Sequence, residues 1–139
     1  MSHANTVNEL FTIAQMGEES IESILSISKE EQFSNYLRKL AKSYQDVMYR
    51  CKNILNRAGK EEKGLNGFEK VRTDFMINMQ SLNDDSTSHL AEMMMNGTVM
   101  GIIKTVRLLN HEENKEIKSL EKELLNIEET SLESLKQFL

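Results

Sequence analysis

The sequence contains no proline and no tryptophan, and it has only one cysteine and six glycines among 139 residues. Proline is the strongest helix breaker, so its complete absence favours long helices joined by short loops. The single cysteine, Cys51, cannot form a disulfide within the chain, so nothing indicates an oxidising compartment. We expect Cys51 to be a small buried apolar residue of a helix rather than a reactive thiol.

The signatures of several enzyme classes are also missing. The chain has no phosphate-binding loop, dinucleotide fingerprint, zinc-binding cysteine cluster or serine nucleophile motif. Its three histidines, His3, His89 and His111, are scattered along the chain. Nucleophilic catalysis therefore has no visible basis, and the sequence does not indicate an enzyme.

The charges argue against nucleic acid as a partner. The net charge is −5, and residues 111–139 alone carry 8 acidic and 4 basic side chains. Phosphate binding requires clustered Lys and Arg, whereas a surplus of acid on one helix is typical of a solvated face. The longest uncharged run, Met93 to Ile103, is shorter than the ~20 residues that span a bilayer. With no signal peptide in view, we predict a cytoplasmic protein without a membrane span.

Apolar residues recur at helical spacing along five segments of the chain. We predict one domain over residues 1–139, with helices over about residues 6–27, 29–58, 67–82, 86–109 and 112–138. Side chains or backbones suited to begin or end these helices are Ser28 with Glu31, Gly59, Asn66, Ser86, and either Asn110 or Asn114. The pattern of caps and stripes predicts an all-helical protein.

The predicted helices form two long hairpins, separated by roughly 27 residues that contain the short third helix. Short hairpin loops and one long central crossover are typical of a ferritin-like four-helix bundle. We therefore predict an all-α, ferritin-like four-helix bundle with an extra short helix in the crossover. A five-helix up-down-up-down bundle is the alternative.

Ferritin-like di-iron centres take a Glu-x-x-His motif from each of two helices. This chain contains no Glu-x-x-His. Proteins with such centres often read Leu-Ala-x-Glu-Glu-x-x-His on the second helix. Here Leu40-Ala41 is followed by Tyr44 and Val47 at the two ligand positions. We therefore expect no di-iron centre, no cofactor and no metal.

Four residues remain as candidates for an unconventional transition-metal site. His89 and Glu92 share a face of the fourth helix, and Glu18 and Glu22 share a face of the first helix. These side chains could meet if the two helices pack together. Capping or surface exposure is the competing interpretation of His89, because it lies in the first turn of its helix.

Gly97 and Gly101 lie four residues apart inside the fourth helix, where each costs ~1 kcal/mol relative to Ala. Such positions indicate a close approach to the backbone, by a neighbouring helix or alternatively by a ligand. Gly17 of the first helix could be the other half of that contact. We therefore expect Gly97→Ala to destabilise the protein.

The third and fourth helices are also rich in methionine, at Met76, Met79, Met93, Met94, Met95 and Met100. Methionine is unbranched and polarisable, which suits adaptable core packing. The same property suits a soft surface for an apolar ligand or a partner helix, so both interpretations stay open.

The segment Ser86-Thr87-Ser88-His89-Leu90-Ala91-Glu92-Met93-Met94, followed by Gly97 and Met100-Gly101-Ile102, resembles a group of small, uncharacterised bacterial ferritin-like proteins, as does Met16-Gly17. The resemblance implies a ferritin-like bundle of unassigned function and supplies no activity. Two hypotheses follow. The first is a non-catalytic interaction or structural protein that self-associates, for example as a dimer, or binds another helical protein. The alternative is a metal- or small-ligand-binding bundle centred on His89 and Glu92.

Overall fold

The structure, a computed structural model, describes residues 2–63 and 69–139, apart from the side chain of Val71. It contains the helices α1 (His3–Leu25), α2 (Glu31–Arg57), α3 (Glu69–Gln80), α4 (Thr87–Asn110) and α5 (Lys115–Leu135), then a short 3-10 helix, Lys136–Phe138. The described residues form no strand. The predicted all-helical fold class is confirmed, and the predicted helices lie within a few residues of the observed ones.

The four long helices pack as two hairpins, α1 on α2 and α4 on α5, which meet through α1–α4 and α2–α5 contacts. Lys29, in the α1–α2 turn, lies 3.0 Å from the Asp85 carboxylate just before α4. Arg57, at the end of α2, lies 2.7 Å from Glu116 at the start of α5. The chain therefore leaves α2 at one end of the helices and enters α4 at the other.

The core consists of the apolar stripes that the helical spacing predicted. Side chains with no exposed surface come from every long helix: Val7, Leu10, Ala14, Ile21, Ile24, Phe33, Leu37, Val47, Cys51, Ala91, Leu120, Leu124 and Leu135. Burial raises the pKa of Cys51 to about 12, so the thiol stays protonated, as expected of an unreactive core residue. No helix in the described ranges is both long and apolar enough to cross a membrane.

Side-chain caps fix the starts of α4 and α5. The Ser86 hydroxyl accepts a hydrogen bond from the His89 backbone N–H at 3.2 Å, which confirms Ser86 as a cap. The Asn114 side chain accepts from the Ile117 N–H at 3.1 Å. Of the two candidates for the fifth helix, Asn114 is therefore correct, and Asn110 belongs to the last turn of α4.

The predicted capping box of Ser28 and Glu31 does not form. The Ser28 backbone N–H donates to the Ile24 carbonyl at 2.9 Å, so Ser28 continues the last turn of α1. Its hydroxyl accepts from the Ser34 hydroxyl at 2.7 Å. Glu30 takes the N-cap position of α2 without a side-chain hydrogen bond. The prediction was wrong because the turn is two residues longer than the box requires.

Helix α2 ends at a glycine in the left-handed conformation. Gly59 adopts a left-handed conformation with a φ of 71°, and the Lys60 N–H donates to the Leu55 carbonyl at 2.8 Å. The predicted stop at Gly59 is confirmed. The predicted cap of the third helix, Asn66, lies outside the described residues.

Candidate functional site

The four metal candidates are not assembled into one site. The His89 Nδ1 atom lies 3.9 Å from the Glu92 carboxylate on the first turns of α4, and Glu92 is largely exposed. Within residues 2–63 and 69–139, no group of three or more His, Cys, Asp or Glu side chains could hold a metal ion. Glu18 and Glu22 of α1 therefore do not complete a site with His89 and Glu92.

The three predicted close-packing glycines have different surroundings. A Cβ atom at Gly97 would meet nothing outside its own helix within 4 Å. At Gly101 it would collide with the Glu128 carboxyl group, and at Gly17 it would lie 2.7 Å from the Tyr44 ring. Close contacts thus exist at Gly17 and Gly101, but with side chains of α2 and α5 rather than with each other's helices. The expectation for Gly97 is corrected, because its bare backbone faces open space.

That open space is a pocket of about 340 Å³ between α1 and α4, with α3 forming a further wall. Ligand pockets in proteins commonly have volumes of ~300 Å³ or more. Most of its side-chain lining is apolar, contributed by Ile13, Met16, Phe75, Met93, Met94 and Met100. The missing side chain of Gly97 leaves room for it. The methionine-rich stretch of α4 therefore borders a cavity as well as the core.

Glu128 forms the polar floor of the pocket. It lies on the inward face of α5 and is only 1% exposed. The Thr105 hydroxyl donates a hydrogen bond to its Oε1 atom at 2.7 Å, and its Oε2 atom lies against the backbone of Gly101. Burial raises the pKa of Glu128 to about 8, although the Thr105 hydrogen bond opposes the rise. At neutral pH the carboxyl is therefore mainly protonated and can both donate and accept a hydrogen bond.

Tyr44 faces Glu128 from the other hairpin. Its ring packs on the bare backbone of Gly17 and also lines the pocket. Burial, and then the nearby Glu128, raise the pKa of Tyr44 well above its usual range, so the phenol keeps its proton. One of the two positions of the second helix where a di-iron protein would carry a ligand is thus filled by a neutral hydroxyl group.

A second buried carboxyl, Glu121, lies two turns before Glu128 on the same face of α5. It has no exposed surface, and neither carboxyl oxygen has a hydrogen-bond partner among the described residues. Burial, followed by the charge of Glu112, raises the pKa of Glu121 to about 7. Glu121 does not line the pocket, so it provides a natural comparison for Glu128.

Sequence analysis missed Glu121, Glu128 and Thr105. The acidic residues of the last helix were assigned to a solvated face, because glutamate is rarely buried. A signal existed in the phase of the apolar stripe. The buried positions of α5 are Ile117, Leu120, Glu121, Leu124, Glu128, Ser131 and Leu135, so the polar members fall on the spacing of the core residues.

The two glycines of α4 should respond to alanine with opposite signs. Gly97→Ala should raise the free energy of unfolding by ~0.5–1 kcal/mol, because Ala favours the helix and its methyl group enters open space. Gly101→Ala should lower it by ~1–2 kcal/mol, because the methyl group must displace the buried, hydrogen-bonded Glu128 carboxyl. Urea denaturation of both variants measures the two changes. A stabilised Gly101→Ala protein would show that this contact yields easily.

Stability should fall as the pH rises from about 5 to about 8.5. An unfolded glutamate ionises near pH 4.5, whereas folded Glu121 and Glu128 hold their protons to about pH 7 and 8. The folded chain therefore binds more protons over this interval, and raising the pH favours unfolding. Glu128→Gln should remove the larger part of this loss of unfolding free energy, and the part removed should be on the order of 2–4 kcal/mol. Urea denaturation of the parent, Glu128→Gln and the exposed control Glu113→Gln tests this, and identical pH slopes in all three would contradict it.

No model of a known protein family matches the chain, and neither does a curated protein or a solved structure. The comparisons therefore supply no activity, ligand or partner. The features that bear on function are those of the pocket itself: its size, its apolar walls and the buried carboxyl of Glu128.

Proposed function

We propose that this protein binds a small, largely apolar ligand in the pocket between α1 and α4, and that it acts through binding rather than catalysis. The observation that carries the proposal is the coincidence of two destabilising features at one cavity. Gly97 weakens a helix by ~1 kcal/mol without any contact that requires glycine. Glu128 buries a carboxyl group, which is also unfavourable. Both features become useful if the cavity has an occupant.

We infer a ferritin-like four-helix bundle as the architecture around the pocket. Two features support it: the pairing of α1 with α2 and of α4 with α5, and the connection from α2 to α4 between opposite ends of the helices. Bundles of this kind build ligand and cofactor sites from side chains on facing helices. A diverged relative of the bacterial ferritin-like proteins that lacks iron ligands could keep such a site for an organic ligand.

The proposed site is centred on Glu128 instead of His89 and Glu92. Those two residues lie at the start of α4, where Glu92 is largely exposed to water. Water competes there for every polar contact. Glu128 lies at the floor of an apolar cavity, where one hydrogen bond to a ligand has more weight.

The experiment is a titration with the neutral probe 4-phenylbutan-1-ol, followed by ¹H–¹⁵N NMR. We expect saturable shifts of backbone amides around Gly97, Thr98 and Gly101. Gly97→Leu should abolish them, because the leucine side chain grows into the pocket. Val99→Leu, which adds bulk to an exposed position of the same helix outside the pocket, should leave them unchanged.

Two results would contradict pocket binding. One is the absence of saturable shifts in the parent protein. The other is undiminished binding by Gly97→Leu when its circular dichroism spectrum shows a folded helical protein, because the probe would then sit elsewhere.

Self-association is the second candidate function, and a patch on α4 favours it. Val99, Met100 and Ile103 are 41%, 47% and 46% exposed, and their spacing puts them on one side of the helix. We propose a second copy of this chain as the partner, because a patch that pairs with its own image can form a closed dimer. Met100 also lines the pocket, whereas Val99 and Ile103 lie outside it.

Sedimentation equilibrium tests the dimer. We expect the parent chain to show a mass of about twice 16.0 kDa, and Val99→Lys/Ile103→Glu to show the monomer mass. A parent protein that stays monomeric, or a charged variant that stays dimeric, would contradict association through this face.

A further inference from the structure

We propose that the ligand of this pocket is an organic amine with an apolar body, bound as its ammonium form with the charged nitrogen at Glu128. The inference rests on the proposed function, since it assigns a ligand class to the same pocket. The placement of the carboxyl group, the charges of the lining and the chemistry of the walls each support it.

The placement of Glu128 suits a cation that carries its own N–H donors. One carboxyl oxygen already accepts from Thr105, and the other lies against the backbone of Gly101 at the edge of the cavity. Because Gly101 has no side chain, no Cβ atom at that position displaces the oxygen from the edge of the cavity. An ammonium group reaching the floor of the pocket could donate to it directly. A charge-assisted hydrogen bond of this kind is stronger than one between neutral groups.

The ionisable side chains of the lining become net negative when Glu128 gives up its proton. Asp74 from α3 and Glu128 from α5 contribute two carboxylates when ionised, and Lys104 from α4 contributes one cation. The lining residues of α1 are uncharged, and Tyr44 from α2 keeps its proton. While Glu128 keeps its proton these charges cancel, and the lining reaches −1 when Glu128 ionises beside a bound cation. An organic cation is therefore favoured over an organic anion of the same shape.

The walls suit the remainder of the ligand. Met16, Met93 and Met100 present flexible, polarisable thioethers that adapt to apolar groups of varied shape. Phe75 of α3 adds an aromatic ring, whose face attracts cations. An amine with an alkyl or aryl body thus finds a partner for each of its two parts.

Binding of an ammonium group should be coupled to the release of one proton. The carboxyl group of Glu128 is mainly protonated at neutral pH, and a cation beside it stabilises the ionised form. The other titratable groups of the pocket lining are Tyr44, Asp74 and Lys104, and the adjacent Glu129 also acts on Glu128 through its charge. The amine should therefore bind more tightly as the pH rises from about 6 to about 8, with a proton leaving to solvent.

The experiment compares three probes that share one apolar body: 4-phenylbutylamine, 4-phenylbutan-1-ol and 4-phenylbutyrate. Calorimetric titration of the full chain gives their dissociation constants at pH 7 and pH 8. We expect the parent protein to bind the amine at least about tenfold more tightly than the alcohol. Glu128→Gln, which keeps the size of the side chain but removes its charge, should abolish that preference and leave the alcohol unaffected.

Glu121→Gln is the matched control, since it neutralises the other buried glutamate of the same helix face outside the pocket. It should keep the preference for the amine. Titration at pH 7 in two buffers of different ionisation enthalpy should show nearly one proton released per amine bound, and none per alcohol.

The outcomes separate this inference from the proposed function. Equal affinity for amine and alcohol, or a preference for the amine that persists in Glu128→Gln, would overturn the amine assignment while the pocket remains a binding site. Tightest binding of the carboxylate would overturn it in favour of recognition by Lys104. If none of the three probes binds, both the inference and the proposed function are wrong.

Discussion

The hydrogen bond from the Thr105 hydroxyl to the Glu128 carboxyl joins α4 to α5 at a point almost without solvent. An ionised carboxylate with so few partners would be strongly unfavourable there, so the group keeps its proton to about pH 8. The position of the Glu128 carboxyl group also restricts which residue α4 can carry opposite it. Gly101 must lack a side chain, because a Cβ atom would occupy the position of the carboxyl oxygen.

The pocket follows from how the two hairpins meet. Within each hairpin the helices interlock extensively, whereas α1 and α4 share a smaller interface. Ser20 and Gly97 line that interface with little side-chain volume, whereas Tyr44 and Glu128 cover the backbones of Gly17 and Gly101. Phe75 and Asn78 of α3 close one side of it. A more regular sequence would fill the gap with alanine or leucine, and would gain helix stability at the expense of the cavity.

The parts of the fold that depend on neighbouring residues were predictable from the sequence. Ser86 and Gly59 act through contacts with residues a few positions away, and the apolar stripes need only a helical period. The Ser28 prediction failed for an equally local reason, since the turn is two residues longer and the Ser28 N–H bonds back to Ile24 at the end of α1.

The candidate site could not be predicted in the same way. A glycine in a helix signals a close contact or an empty space equally well, and only the neighbouring helices decide. Gly97 borders open space, whereas Gly101 lies against the Glu128 carboxyl group of α5. Glutamate is common on solvated faces, so burial of Glu128 could be inferred only from the exact phase of α5 against its neighbours. The pocket is lined by residues of all five helices, from Ile13 of α1 to Glu128 of α5, and these lie far apart in the sequence.

A pH titration of the Glu128 side chain tests the central claim most directly. The carboxyl carbon can be followed by ¹³C NMR in protein labelled at glutamate, with Glu128→Gln used to assign the signal. A buried carboxyl held by Thr105 at the floor of an apolar pocket should titrate near pH 8. A midpoint near pH 4.5, the ordinary value for an exposed glutamate, would contradict a buried protonated carboxyl at the centre of this protein.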